Sequence, residues 1–505
     1  MAIITIPAGS TTAFLQDAIN GAASNDIIEF QGDMNLTAAV TIVDKELTLQ
    51  STEGENFVLT QTVENARHFT IGADATVSMH YFTLDGNGLG GGISISRASG
   101  ALNMYEGAVI SNCYTSFYGG GINNSGTFNM YGGEISSNAA GVDSGGIESY
   151  SGTVVIHGGS IISNFAPRCC GGVSNWGGTI TINDGNITGN TALLGGGVYN
   201  SNGTVTINGG NITDNTALER GGGVYNGSYL VIECVVISDN TAKDGGGIFN
   251  DGSLVINDGI ISGNTAVSES GGVHNDGTFT MNNSTISDNT AGTNGGGVHN
   301  FNLFNMNGGE ISGNIAGNDG GGIHSTQNVN INSGSIVNNT ATHDGGGVWI
   351  NDLNLLTVSA GVIFSGNHAR HATQRDPTNN AVYRANIHSH ATVWSVGRQG
   401  YNNYDINQDS APFPPIDISD SALLIGNGTD DSNRSNAFIF DFNGNAFAQN
   451  SFISNGADYA EMFEWADGNP TDEDRVGYFV TLEGSKIRKA NAEDEFVLGV
   501  VSGDS

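Results

Sequence analysis

The chain repeats itself about every 25 residues, and this period limits its fold more than any other feature. The stretch GGGVYNSNGTVTINGGNITDNTA at 195–217 holds a glycine triplet, a short alternating run, a glycine pair, a second run and Asn-Thr-Ala. The apolar residues that follow the glycine clusters are Ile93, Ile122, Ile147, Val173, Val198, Val224, Ile248, Val273, Val298, Ile323 and Val348, at intervals of 29, 25, 26, 25, 26, 24, 25, 25, 25 and 25. Within a repeat, Val205 and Ile207 alternate with Thr204, Thr206 and Asn208, which is strand periodicity. Strands this short cannot bury an apolar face alone, and the Gly-Gly and Asn-Gly turns accept positive φ, so each repeat must stack on the next. The expected fold is all-β: a right-handed parallel β-helix of about 11 to 12 coils, three strands per coil, roughly 50 Å long at about 4.8 Å per coil.

A second register supports the stacking. Asn112, Asn138, Asn164, Asn190, Asn215, Asn240, Asn264, Asn289, Asn314, Asn339 and Asn367 recur once per coil. Stacked amides can hydrogen-bond along the axis where a turn leaves backbone groups without partners, so this ladder reads as structural.

Solenoid ends expose unpaired strand edges that must be covered. Residues 9–22, GSTTAFLQDAINGA, fit a short amphipathic helix with Ser10 or Thr11 as N-cap, followed by the strand-like DIIEF. The expected organisation is an N-terminal cap with first coils at 1–85, the repeats at 86–369, a distal cap and Pro-containing linker at 370–422, and a β-rich trimerisation and chaperone segment at 423–505.

The residue after each anchor should face outward. From the fifth anchor these are Tyr199, Tyr225, Phe249, His274, His299, His324 and Trp349, seven rings in register. Either the rings only stabilise one another, or they form a flat stripe for stacking on sugar faces. A straight row of His274, His299 and His324 does not converge on a tetrahedral centre, so no metal and no cofactor is expected. Glycan hydrolysis would need two carboxylates about 5 to 9.5 Å apart. Asp319 beside Asp344, or Asp251 beside Asp276, are candidate pairs, although Asp is common in such turns for local reasons. No catalytic residue is assigned.

The formal net charge is −35, and residues 90–369 hold only Arg97, Arg168, Arg220 and Lys243 as basic side chains. Nucleic-acid binding, which needs clustered Lys and Arg, is excluded as an expectation. No apolar run is long enough for a membrane-spanning helix, and the first residues read as no signal peptide. Cys113, Cys169, Cys170 and Cys234 lack metal-binding spacing and read as reduced thiols in the repeat core.

The paired motifs Gly-Gly-x-Ile/Val and Ile/Phe-x-x-Asn, as in GGGVYN with ITDN and in IFSGN at 363–367, resemble the repeats of chlamydial polymorphic outer-membrane proteins and related β-helix adhesins. The C-terminal region resembles tailed-phage neck appendages and tail spikes that carry the peptidase G-two type intramolecular-chaperone autoproteolytic domain. The matching residues are Gly426-Asn427-Gly428-Thr429, Arg434 to Phe438, Asp441 to Gly444, Asp458 to Glu461, Phe463 to Trp465, Asp467 to Pro470, Glu473 to Arg475, Lys486 to Arg488 and Leu498 to Gly503. This resemblance implies a homotrimer whose C-terminal segment guides assembly and is then removed by self-cleavage. The family's domain runs on beyond the Val-Val-Ser-Gly stretch, which leaves a processed end, a truncation or an assembly-only version open. Asp458, Glu461, Glu464 and Asp474 read as carboxylates of a trimer interface, with acid chemistry as the alternative. The function expected is a receptor-binding appendage on a phage or phage-derived particle, outside the cell, with a particle adaptor and a cell-surface polysaccharide as partners and no membrane insertion. A polysaccharide depolymerase working in a groove of the coil and a bacterial surface adhesin are the alternatives.

Overall fold

The computed structural model describes residues 1–369 and six strands of the C-terminal region. Residues 1–369 wind into a parallel β-solenoid of about 15 turns, with three main sheets of 15, 13 and 14 strands. One turn passes through Val198–Asn200 in the 13-stranded sheet, Thr204–Ile207 in the 15-stranded sheet and Asn211–Thr213 in the 14-stranded sheet. Every pairing between these turns is parallel and keeps like side chains opposite each other, as in Val205↔Leu230 and Ile207↔Ile232. The inward residues therefore form continuous columns, and each buried Val, Leu or Ile contributes about 1.5–3 kcal/mol that an isolated repeat would forfeit.

A fourth, shorter strand was not anticipated from the repeat. Thr216–Arg220 and its equivalents down to His368–Ala369 make an 8-stranded sheet between the asparagine ladder and the glycine triplet. Its signal is only a Thr-Ala pair, whose Ala217, Ala242, Ala266 and Ala291 are buried one above another. Two residues are too few to show alternation. Turns beyond those marked by glycine clusters lie near the N-terminus, where Ile3–Ile6, Asp26–Phe30, Glu46–Ser51 and Thr76–His80 join the 15-stranded sheet without a regular period.

The N-terminal end is closed by a helix over Thr12–Gly21, capped by Thr11, whose side chain accepts the Phe14 N–H at 3.2 Å. Leu15 and Ile19 are buried beneath it. Val40–Ile42 is the first strand of its sheet, and Gln16 acts as a substitute partner for that edge: Oε1 accepts Thr41 N–H at 2.8 Å and Nε2 donates to Thr41 O at 2.9 Å. Thr12 Oγ1 accepts Thr37 N–H at 2.8 Å in the same way. Lys45 Nζ donates to the carbonyls of Ile19, Asn20 and Ala22, satisfying the helix C-terminus.

The asparagine ladder runs from Asn138 to Asn367 and is fully enclosed. Each Oδ1 accepts both the backbone N–H and the amide of the preceding asparagine; for Asn240 these come from Asn215 at 2.9 and 3.0 Å. Each amide also donates back to a core carbonyl, as Asn240 Nδ2 does to Ile212 O at 2.8 Å. Asn164, Asn190, Asn264, Asn289, Asn314 and Asn339 repeat the pattern. Asn112 stands outside the column in a turn at φ 51°, and Cys113 takes the ladder position, its N–H donating to Asn138 Oδ1 at 3.0 Å. A second enclosed amide column, which the sequence reading did not separate from the first, follows the anchors through Asn175, Asn200, Asn226, Asn250, Asn275 and Asn300.

The cysteines are free thiols; Cys113, Cys169 and Cys170 are buried, whereas Cys234 is exposed in a turn at φ 47° rather than in the core. Among the described residues no helix is long and apolar enough to cross a membrane. The C-terminal strands form two antiparallel sheets, Ser421–Gly426 with Asn436–Asp441 and Ala446–Ala448, and Phe479–Glu483 with Lys486–Lys489 and Gly499–Val500. The expected cap and linker up to residue 420, and Asp458, Glu461, Glu464 and Asp474, lie outside the described residues.

Candidate functional site

The seven-ring column forms in register: Tyr199, Tyr225, Phe249, His274, His299, His324 and Trp349 pair on successive turns. Most neighbours lie face to face, with Tyr225 and Phe249 at 5.7 Å and 6°, Phe249 and His274 at 4.3 Å and 10°, and His324 and Trp349 at 4.1 Å and 7°. The expected open stripe is corrected in two respects. The rings are covered, Phe249 and His299 being only 1% exposed and Tyr225 and Trp349 partly buried. Most of their faces are also taken up by each other.

Arg220 and Glu269, both between the Thr-Ala pair of the fourth sheet and the following glycine cluster, contribute to the cover. On later turns the same segment ends at Gly295, Gly320 and Gly345 at φ 69°, 68° and 65°, where an added Cβ would lie 2.7, 2.6 and 2.7 Å from the Cβ of His299, His324 and Trp349. Arg220 Cζ sits 4.7 Å from the centroid of the Phe249 ring as part of this cover.

His299 departs from the stack. Its ring is tilted 62° to His274 and stands at 90° to His324, with Phe301 packed 4.2 Å away. This rotation brings Nδ1 to 3.4 Å from Glu269 Oε2, a carboxylate supplied by the cover. The row is therefore not straight, contrary to the geometry on which a metal centre was discounted. Burial, with His324 and His274 beside it, holds His299 far below the usual imidazole range, and burial lowers His324 to about 4.

The candidate carboxylates are engaged in hydrogen bonds within and between turns. Asp319 Oδ1 accepts the Asp344 N–H at 3.0 Å, Asp251 accepts the Tyr225 hydroxyl, and Asp276 Oδ1 meets His274 Nε2 at 3.2 Å. The His274 contact holds Asp276 below the ordinary carboxylate range.

Two features escaped the sequence reading. The first is an outward column at the end of the 15-stranded sheet, where His80, Tyr105, Tyr131 and His157 stack at 4.3, 4.9 and 4.7 Å with tilts of 5°, 13° and 3°. Tyr131 is 46% exposed. The column continues as amides: Asn183 Nδ2 meets His157 Nδ1 at 3.3 Å, and Asn208 Nδ2 donates to Asn183 Oδ1 at 2.9 Å. Further along, Glu233, Asn257, Asn282, Asn307 and Asn332 link in the same manner. Because the rings lie face to face, they show solvent their edges: phenol hydroxyls, ring nitrogens and amides, repeated once per coil. The signal was the polar or aromatic residue after each Met or Ile that ends a strand, visible only once the strand end is located.

The second feature is Glu148, in the register position that the rings occupy on later turns. It is 5% exposed, and its Oε2 has no hydrogen-bond partner. Burial and the nearby Asp143 push its carboxyl up to about 8, against partial relief from Arg67 and Arg168. Arg168 is already committed to Asp143.

Residues 425–505 match the family model of the Peptidase_G2, IMC autoproteolytic cleavage domain, an intramolecular-chaperone module. No curated protein and no solved structure matches the chain.

Proposed function

From a β-solenoid body followed by an intramolecular-chaperone cleavage domain, we propose that the protein is a homotrimeric, glycan-binding appendage of a phage or phage-derived particle. The chaperone match carries this reading. Such a module has a purpose where several chains must be brought into register, and long repetitive solenoids need that help because a shift by one repeat costs few contacts. After assembly, autoproteolysis in the 425–505 module releases it from the body. Mass measurement in solution tests assembly: three chains at micromolar concentration are expected, and a monomer contradicts the reading.

The outward column of His80, Tyr105, Tyr131 and His157, with its amide continuation, is the face assigned to glycan. A row of hydrogen-bonding edges repeated at the coil spacing suits a polymer of hydroxyl-bearing units better than it suits a single small ligand. Three such faces on one trimer would add avidity to weak single contacts. The acidic surface favours neutral over acidic glycans.

Tyr105→Phe combined with Tyr131→Phe removes two hydroxyls and keeps both rings in the stack. At about 0.5–1.5 kcal/mol per neutral hydrogen bond, binding to the recognised member of a panel of bacterial capsule and wall polysaccharides should weaken about tenfold. Unchanged binding removes this face from the proposal. New reducing ends in the same incubations would turn the reading toward a depolymerase.

A further inference from the structure

We propose that Glu269, His274 and His299 form a binding site for a divalent transition-metal ion of the zinc class. One donor atom from each lies within 4.8 Å of the others. Ligands at about 2.0–2.2 Å from a tetrahedral ion stand about 3.3–3.6 Å apart, and Glu269 Oε2 and His299 Nδ1 already have this separation at 3.4 Å. His274, within 4.8 Å of both, would close on the ion when it binds.

Three observations make the cluster more than a chance meeting of polar residues. His299 gives up the parallel stacking kept by Tyr225, Phe249 and His274, and turns toward the carboxylate. Both of its ring nitrogens are enclosed and make no hydrogen bond, although each buried orphan costs about 1–3 kcal/mol. His274 has one nitrogen, Nε2, held by Asp276 at 3.2 Å, while its other, Nδ1, is enclosed without a partner. A carboxylate that fixes one imidazole nitrogen and leaves the other free is the arrangement that orients a metal-ligating histidine.

The donor set selects the ion. Two imidazoles and one carboxylate suit zinc and its neighbours, whereas calcium and magnesium prefer all-oxygen shells. Glu269, whose side chain is 31% exposed, provides the way in, and a water molecule can complete the fourth position. The bound ion would tie the bend that carries Glu269, between the Thr265–Ala266 strand and the next glycine pair, to two successive turns of the ring column. The site is independent of the glycan face and of the C-terminal module.

The test compares the full-length chain with His299→Phe and Glu269→Gln. Phenylalanine fits the ring column, as Phe249 shows two register positions earlier in the stack, so the first variant should keep its fold. Equilibrium dialysis against Zn²⁺ should give one ion per chain more for the parent than for His299→Phe, which also discounts binding by histidines elsewhere. Substitution with Co²⁺ should produce visible d–d absorption that the variant lacks. Glu269→Gln, at a partly exposed position, should weaken binding at least tenfold, and it serves as the deciding variant if His299→Phe loses its β-sheet circular dichroism. Equal stoichiometry and affinity in the parent and a folded variant overturn the site.

Discussion

Asn240→Ala should lower the unfolding free energy of the solenoid by about 4–6 kcal/mol, among the largest effects a single side chain can have here. The substitution removes one amide and takes a hydrogen bond from each of four enclosed groups, while the Asn215 amide keeps Ile187 O and Asn264 Oδ1 keeps the residue 240 N–H. The Asn215 N–H and its amide lose the Oδ1 they share, Ile212 O loses its donor, and Asn264 Oδ1 loses the amide that bonds it at 3.0 Å. The orphaned Asn215 N–H costs about 1–3 kcal/mol and each of the other three lost bonds about 0.5–1.5 kcal/mol, and no water reaches the column to repair them without opening the turn. Because each turn touches only its neighbours, the damage should localise: hydrogen exchange should speed up in the turns around residues 212–264 before it does so near the N-terminal helix. Asn208→Ala is the control. It cuts a similar amide link, to Asn183, on the wet outer face, and should change stability by no more than about 0.5 kcal/mol. Equal effects of the two substitutions, measured by denaturant unfolding, would mean that the inner ladder owes little to its enclosure.

That contrast also explains which parts of the molecule were legible from residues alone. Val205, Ile207 and their equivalents announced a core because burial acts on every turn alike, so the pattern repeats as often as the fold does. The asparagine ladder was legible for the same reason. Legibility failed where the physics involves two parts of one turn rather than the same part of two turns. The cover over Phe249 and His299 includes Arg220 and Glu269, which lie between a strand marked only by Thr-Ala and the next glycine cluster, and no column position states that placement. Asn112 and Cys113 show the limit in miniature: the interval fits Asn112, but the ladder needs a residue one place later, and a thiol occupies it. The outward His80–Tyr105–Tyr131–His157 column went unseen because its rungs change from rings to amides along the axis.

Glu148 is a different case, a charge-capable group at the register position that rings take only on later turns, and it should make the solenoid sensitive to alkali. Its carboxyl is raised from an ordinary value of 4.5 to about 8, mainly by burial and then by Asp143. Between those two values the folded chain keeps a proton that the unfolded chain releases. Stability must then fall as pH rises through this window, with no penalty below about 4.5 and the full penalty above about 8. At about 1.4 kcal/mol per unit, the full penalty approaches 5 kcal/mol. With 50 Asp and Glu residues in the chain, the parent's own pH profile mixes many titrations, so the informative quantity is the difference from Glu148→Gln. Glutamine keeps the shape and cannot ionise. The variant's advantage in denaturant unfolding should grow steadily from about pH 5 to about pH 8 and then level off. A difference that stays constant across this range would mean that Glu148 is already ionised in the fold, with Arg67 and Arg168 outweighing burial and Asp143.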